Sequence, residues 1–293
     1  MKQFLLLVVK AFVLLYLIAW VLDLAYTQVY LHSSKRGKVE AVFNGKPKKY
    51  DVVILGTSRA NNHFVPELFE KKGLKTFNYG MSGSHLFETS LLLELMIERK
   101  FQMKCIILEA DLSLSNDKRD EGTTARYLPF LHHSKAIANH FRQEKEFYGW
   151  CCIPFYRYIE YDSQIGFREM YESLLGKTTS NLDNGGYYPL HTKNEANMKN
   201  NYQSLNPLHN KYYEKIKQIC KSNNIRLITV TTPVCENVKG MDYFQKVTEM
   251  YPEIHNLENF VQGDEYFSSC GHLNDKGARL FTQKVINLFF SEK

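Results

Sequence analysis

A serine hydroxyl becomes a nucleophile only where a base can take its proton, so the first residues to weigh are serines and histidines that follow strand ends. Ser58 lies in Val52-Val53-Ile54-Leu55-Gly56-Thr57-Ser58-Arg59-Ala60. A short apolar, β-branched run stopped by glycine reads as a buried strand ending in a turn. Ser58 then sits just past a strand end, where parallel α/β sheets present their chemistry. Gly-x-Ser alone is common in turns, but two further stretches add weight. Asn78-Tyr79-Gly80-Met81-Ser82-Gly83 follows a second short strand at residues 75–77, and Gly271-His272-Leu273-Asn274 opens the last helix. An imidazole titrates near neutrality, so His272 can take the Ser58 proton and return it to a leaving group. Taken singly, Ser58 can cap a helix and His272 can be a surface loop residue. In this order, in an α/β frame, acyl chemistry is the better reading.

Other chemistries lack their residues. Gly56-Thr57-Ser58-Arg59-Ala60 has no second glycine of the G-x-S-x-G elbow. No P-loop and no G-x-G-x-x-G follows the first strand, so nucleotide binding has no support. The ten histidines contain no H-E-x-x-H, and His132, His133 and His140 have no acids at ligand spacing, so no metal and no cofactor is expected. The net charge is +6 with scattered Lys and Arg, which gives no nucleic-acid footprint. Six cysteines show no C-x-x-C. Cys105 and Cys220 fall in apolar patterns and are expected as buried thiols, the adjacent Cys151 and Cys152 seldom bridge each other, and no disulfide is assigned.

The elements that must position these groups alternate. Strands are expected at 51–55, 75–77, 105–110 and 225–231, with helices at 66–73, 84–100, 209–222, 242–250 and 274–290, and an extended stretch at 254–260. That rhythm gives a parallel sheet with helices on both faces. Residues 113–207 break it. They are rich in aromatics and histidine, which argues against disorder, and they read as a partly helical insertion beside the site that shapes a substrate groove. The 19 Tyr and 19 Phe could contact carbohydrate, but core and interface packing is the plainer explanation.

Residues 4–21 are apolar except for Lys10, long enough for a bilayer core of roughly 30 Å. No small-x-small cleavage site follows, so residues 1–26 are expected as an uncleaved signal anchor, residues 27–49 as a basic linker, and residues 50–293 as the α/β domain. Lys35, Arg36, Lys38 and Lys46 follow the span, whereas only Lys2 and the amino terminus precede it. Counted alone, these charges would keep the domain inside.

The serine block, the Asn-x-Gly-x-x-Gly turn and the late histidine resemble the SGNH (GDSL-type) hydrolase superfamily over residues 51–290, the central segment excepted. The resemblance implies a doubly wound, flavodoxin-like three-layer sheet and an oxyanion hole from the Ser58 and Gly83 amides, with Asn78 in the same turn as Gly83. The superfamily's third donor comes from Gly-x-Asn-Asp after the third strand, where this chain has Ala110-Asp111-Leu112-Ser113, with Asn116 the nearest asparagine. The superfamily's aspartate three residues before the histidine is here Ser269. Asp264 or Asp111 would have to replace it; otherwise a Ser–His dyad with weak hydrolysis is expected. Gly-Thr-Ser-Arg behind an N-terminal anchor is similar to the envelope proteins of polysaccharide O-acetylation and teichoic acid D-alanylation. That implies a domain outside the cytoplasmic membrane, and large domains translocate largely regardless of charge. It also implies acyl transfer or ester hydrolysis on a cell-surface glycan, with a multi-span membrane acyltransferase as partner. A non-catalytic glycan- or partner-binding protein and a plain secreted esterase or lipase are the competing readings.

Overall fold

The computed structural model describes residues 1–191 and 198–291. The chain divides into two compact units, residues 1–46 with 124–178, and residues 47–123 with 179–293.

The second unit is built on four parallel strands: β1 (Lys49–Leu55), β2 (Thr76–Asn78), β3 (Gln102–Glu109) and β4 (Arg226–Val230), in the order β2-β1-β3-β4. Ile54 lies opposite Asn78 and Ile107, and Ile107 opposite Ile228. Beyond β4, Val230 bridges His255 in parallel, so the stretch expected as extended lengthens the sheet by one short contact. Alternate residues of a strand face opposite sides. Val52, Ile54, Ile107, Ile228 and Val230 share a core with Ala278, Phe281, Val285 and Ile286 of the last helix, Asp275–Phe289. Val53, Leu55, Ile106 and Leu108, of opposite parity, are equally buried. Both faces are therefore covered, as an all-parallel sheet requires.

The helix starts are cut by their caps. Asn274 Oδ1 accepts from Gly277 N–H at 2.9 Å, and Asn210 Oδ1 accepts from the Tyr212 and Tyr213 amides, which starts Lys211–Ser222 two residues later than the periodicity predicts. His85 and Glu88 form a reciprocal capping box that starts Leu86–Glu98.

The first unit contains the helix α1 (Lys2–His32), whose residues up to Leu24 are largely exposed while Tyr26, Thr27 and Tyr30 are buried. It is long and apolar enough to span a membrane or to serve as a signal sequence. The stretch expected as a basic linker, residues 27–49, contains a short helix. It folds into Lys38–Phe43 because Val39, Val42 and Phe43 are apolar and find a core, with Phe43 stacked on Phe130 at 4.1 Å. Arg36 pairs with Glu169 at 2.7 Å and Glu172 at 2.6 Å. Residues 124–178 are mostly short helices, among them Lys135–Phe141, Phe147–Cys152, Tyr156–Glu160 and Phe167–Leu174. The remaining part of the expected insertion, 113–123 and 179–207, groups with the sheet unit, its residues 192–197 lying outside the described residues.

Candidate active site

The turn after β1 must bend sharply beside β3. Gly56 has φ +139°, and a Cβ there would meet the Glu109 carbonyl and carboxylate at 2.8 Å. A side chain would be excluded both by this approach and by the backbone conformation. Thr57 caps the helix Ser58–His63, its side chain accepting from Arg59 N–H. Its own hydroxyl and amide donate to Glu109 Oε2 at 2.7 and 2.8 Å. Burial, then the neighbouring Asp111, push the Glu109 carboxyl well above the ordinary carboxylate range.

Arg59 turns into the interior. Its Nη2 donates to the Thr232 and Pro233 carbonyls at 2.9 and 2.8 Å, and its Nη1 lies 3.0 Å from Asp111 Oδ2. The same Asp111 oxygen accepts from the Thr232 hydroxyl at 3.1 Å. Arg59, Glu109 and Asp111 are all nearly inaccessible. The N-terminus of Ser58–His63 is thus fastened to the ends of β3 and β4 by buried bonds, those of Arg59 charge-assisted.

His272 comes from the other end of the chain. Phe267–Ser269 pairs antiparallel with His272–Leu273, with Ser269 opposite His272. Cys270, inside that hairpin, forms a disulfide with Cys235, and Cys235 N–H donates to the Cys270 carbonyl at 3.0 Å. No disulfide was expected from spacing, because partners 35 residues apart carry no local pattern. Cys105 and Cys220 are buried free thiols, and Cys151 and Cys152 are also free.

The hairpin carries the imidazole to the serine. Ser58 Oγ is 2.8 Å from His272 Nε2, and Ser269 Oγ is 3.2 Å from His272 Nδ1. Burial, then the Arg59 guanidinium, lower the His272 pKa to about 4, with Asp111 opposing. The ring is therefore neutral at pH 7. With its proton on Nδ1 toward Ser269, Nε2 offers a lone pair to the Ser58 hydroxyl, the arrangement a general base needs. His63, five residues after Ser58, supports the loop from beneath by accepting Leu273 N–H at 3.1 Å. Burial holds its pKa well below the ordinary histidine value.

The expected substitutes for the orienting acid do not reach His272. Asp111 is taken as the counter-ion of Arg59. Asp264 is exposed at the start of Asp264–Tyr266, and among the described residues no hydrogen bond or ion pair joins it to His272. Ser269 occupies the place instead.

A cavity of about 550 Å³ opens beside the pair, lined among others by Ser58, Arg59, Gly83, His85, Asn116 and His272. Gly83 has φ +88°, and a Cβ there would come within 3.3 Å of Thr123 Oγ1. Asn78, in the same turn, is spent on structure. Its amide donates to the Ala60 and Phe64 carbonyls, and its Oδ1 accepts from Gly80 N–H. Asn116 reaches the cavity because Leu112–Ser115 coils into a short 3₁₀ turn after β3. Arg59 belongs to the Gly-Thr-Ser-Arg block, but nothing in that block shows what it pairs with, and Glu109 and His63 carry no motif that marks them. Among the described residues no cluster of His, Cys, Asp and Glu could hold a metal ion.

No family model matches the chain, and no curated protein does. A solved structure from Streptococcus pneumonia, described as "a putative platelet activating factor", aligns over 97% of this chain and 99% of its own, with 12% identity and a TM-score of 0.32. A likeness at that level carries no argument about fold family or activity.

Proposed function

We propose that this chain is an SGNH-type serine acyltransferase or esterase, anchored by α1, that acts on O-acyl groups of a cell-surface glycan outside the cytoplasmic membrane. The observation that carries the reading is the 2.8 Å contact between Ser58 Oγ and His272 Nε2 at the mouth of an accessible cavity. Ser58 attacks the acyl carbonyl as its proton passes to Nε2. The Ser58 and Gly83 amides and the Asn116 side chain are the donors for the oxyanion. The imidazolium then protonates the leaving oxygen, and a glycan hydroxyl or water, deprotonated by the same nitrogen, releases the acyl group from Ser58. No cofactor enters these steps. With a hydroxyl rather than a carboxylate at Nδ1 and Arg59 nearby, the imidazolium is weakly stabilised. Slow hydrolysis suits a transferase that takes its acyl group from a multi-span membrane partner. The Cys235–Cys270 disulfide supports export, because such bonds persist in oxidising compartments.

The uncharged partner of His272 also favours a second reading, a non-catalytic envelope protein that binds glycan or a membrane acyltransferase. A fluorophosphonate probe on the full-length chain in detergent separates the two. Labelling that disappears in Ser58→Ala is the expected result. A folded wild-type chain that the probe never labels makes the non-catalytic reading the better one.

A further inference from the structure

We infer that the turn after Phe147–Cys152, residues 152–155, is a second membrane contact, with Ile153 and Tyr148 lying in the lipid at the border of headgroups and acyl chains. The inference rests on the reading of α1 as a membrane span and adds a surface to it. A bilayer core of about 30 Å takes about 20 helical residues, which from Phe4 ends near Asp23. The turn is fixed to α1 within the last part of that span. A cavity of about 360 Å³ is walled jointly by Tyr16, Trp20 and Leu24 of α1 and by Cys152, Ile153 and Pro154, with His132, His133 and the Asp23–Arg157 pair also on its lining. Tyr16 lies about 12 Å below Leu24 along the helix axis, so this wall reaches into the bilayer from its edge.

The attachment is built rather than incidental. Asp23, just past the apolar run, accepts from Phe155 N–H at 2.8 Å and from Arg157 Nη2 at 2.8 Å. Arg157 is buried and also donates to Thr27 Oγ1 at 3.0 Å. Phe155 has φ +64°, a conformation a bulky residue adopts only when its surroundings impose it. Its ring meets Tyr26 edge-on at 4.8 Å. An ion pair closed off inside protein is what a charge needs at this depth.

What the turn presents outward is apolar. Ile153 is 54% exposed and Tyr148 73% exposed, and Tyr148 stands one helical turn before Cys152, on the same side of Phe147–Cys152. Ile153 shares a cavity wall with Tyr16, Trp20 and Leu24 of α1, which are themselves exposed. A tyrosine and an aliphatic side chain suit the interfacial zone, where one end is wet and the other apolar. A short loop in lipid is tolerated where its polar backbone is satisfied by protein, and here Asp23 accepts Phe155 N–H while Ile153 N–H donates to the Gly149 carbonyl.

The test places one spin label at a time on the full-length chain with Cys151→Ser and Cys152→Ser, in nanodiscs of phosphatidylethanolamine and phosphatidylglycerol with one copy per disc. Labels at Ile153→Cys, at Leu15→Cys as the lipid reference and at Lys221→Cys as the aqueous reference are read for collision with oxygen and with a water-soluble nickel chelate. The expected result at 153 is loss of nickel access with oxygen access retained, as at 15 and unlike 221. Nickel access at 153 with a lipid-immersed label at 15 overturns the inference and leaves the anchor standing. Nickel access at both sites overturns both. A label at 153 shielded from both reagents means protein covers the turn, which also overturns it.

Discussion

The two sides of the candidate site are held by different physics. On the serine side, Thr57 and Arg59, the residues flanking Ser58, are tied to the buried carboxyl groups of Glu109 and Asp111 and to carbonyls just beyond β4. On the histidine side, a two-residue pairing, one disulfide and one imidazole–amide bond fix His272. The serine is locked by a network whose charges are costly to leave unpaired. The histidine is locked by a covalent staple and oriented by a neutral hydroxyl. One side is rigid by construction, while the other leaves room to adjust the base.

Breaking the serine side has the largest expected effect. Arg59→Met keeps the side-chain volume close to the original but strips Asp111 of its counter-ion and two carbonyls of their donor in a buried setting. Removing one partner of a buried pair costs about 3–5 kcal/mol, so we expect a marked fall in the unfolding midpoint by circular dichroism, together with loss of probe labelling at Ser58. A variant as stable as the wild type would show that the network does not hold the serine turn.

The histidine side is expected to break more gently. The double replacement Cys235→Ala/Cys270→Ala releases a loop of 35 residues' separation, and removing such a crosslink costs about 2–4 kcal/mol. Because the bond lies two residues from His272 and not in the serine network, esterase turnover should fall while much of the protein remains folded. Reductant should reproduce both effects in the wild type and neither in the double variant. Equal melting curves and equal turnover with and without reductant would sink this account of the loop.

The same contrast decides how much was legible. The serine side was readable in its frame because apolar runs and glycines obey local rules: the four strands fall where the runs at 51–55, 75–77, 105–110 and 225–231 put them, give or take a few residues. The partners Arg59, Glu109 and Asp111 meet only when β1, β3 and β4 are laid side by side, which no local pattern encodes. Lys38–Phe43 was hidden for a related reason. Its basic flanks suggest a linker, and only tertiary burial of Val39, Val42 and Phe43 makes it a helix. On the histidine side, the gap at Ser269 could be read, but not its occupant's role. Asp264, near in sequence, and Asp111, after the third strand, are candidates with no motif behind them, and the pairing of Ser269 with His272 follows from a hairpin too short to recognise from its residues.

The smallest change sharpens the comparison most. In the wild type the base carries a pKa lowered to about 4, because burial and Arg59 disfavour the imidazolium. On the proposed mechanism the reactive form is the neutral ring, so kcat/KM should fall as pH drops through that pKa. The acid limb of the ester-hydrolysis profile should therefore lie well below the ordinary histidine value of about 6.5. Ser269→Asp puts a carboxylate where Ser269 Oγ now stands, 3.2 Å from Nδ1. A nearby negative charge favours the imidazolium and raises the histidine pKa, so the limb should move upward. The same charge stabilises the imidazolium formed during attack, so hydrolysis on the plateau should rise by about tenfold or more. Ser269→Asn keeps a hydrogen-bonding partner without the charge and should leave the limb where it is. If the aspartate variant shifts neither limb nor plateau while Ser58 still labels, Nδ1 is not oriented from residue 269, and the neutral-dyad description of the site is wrong.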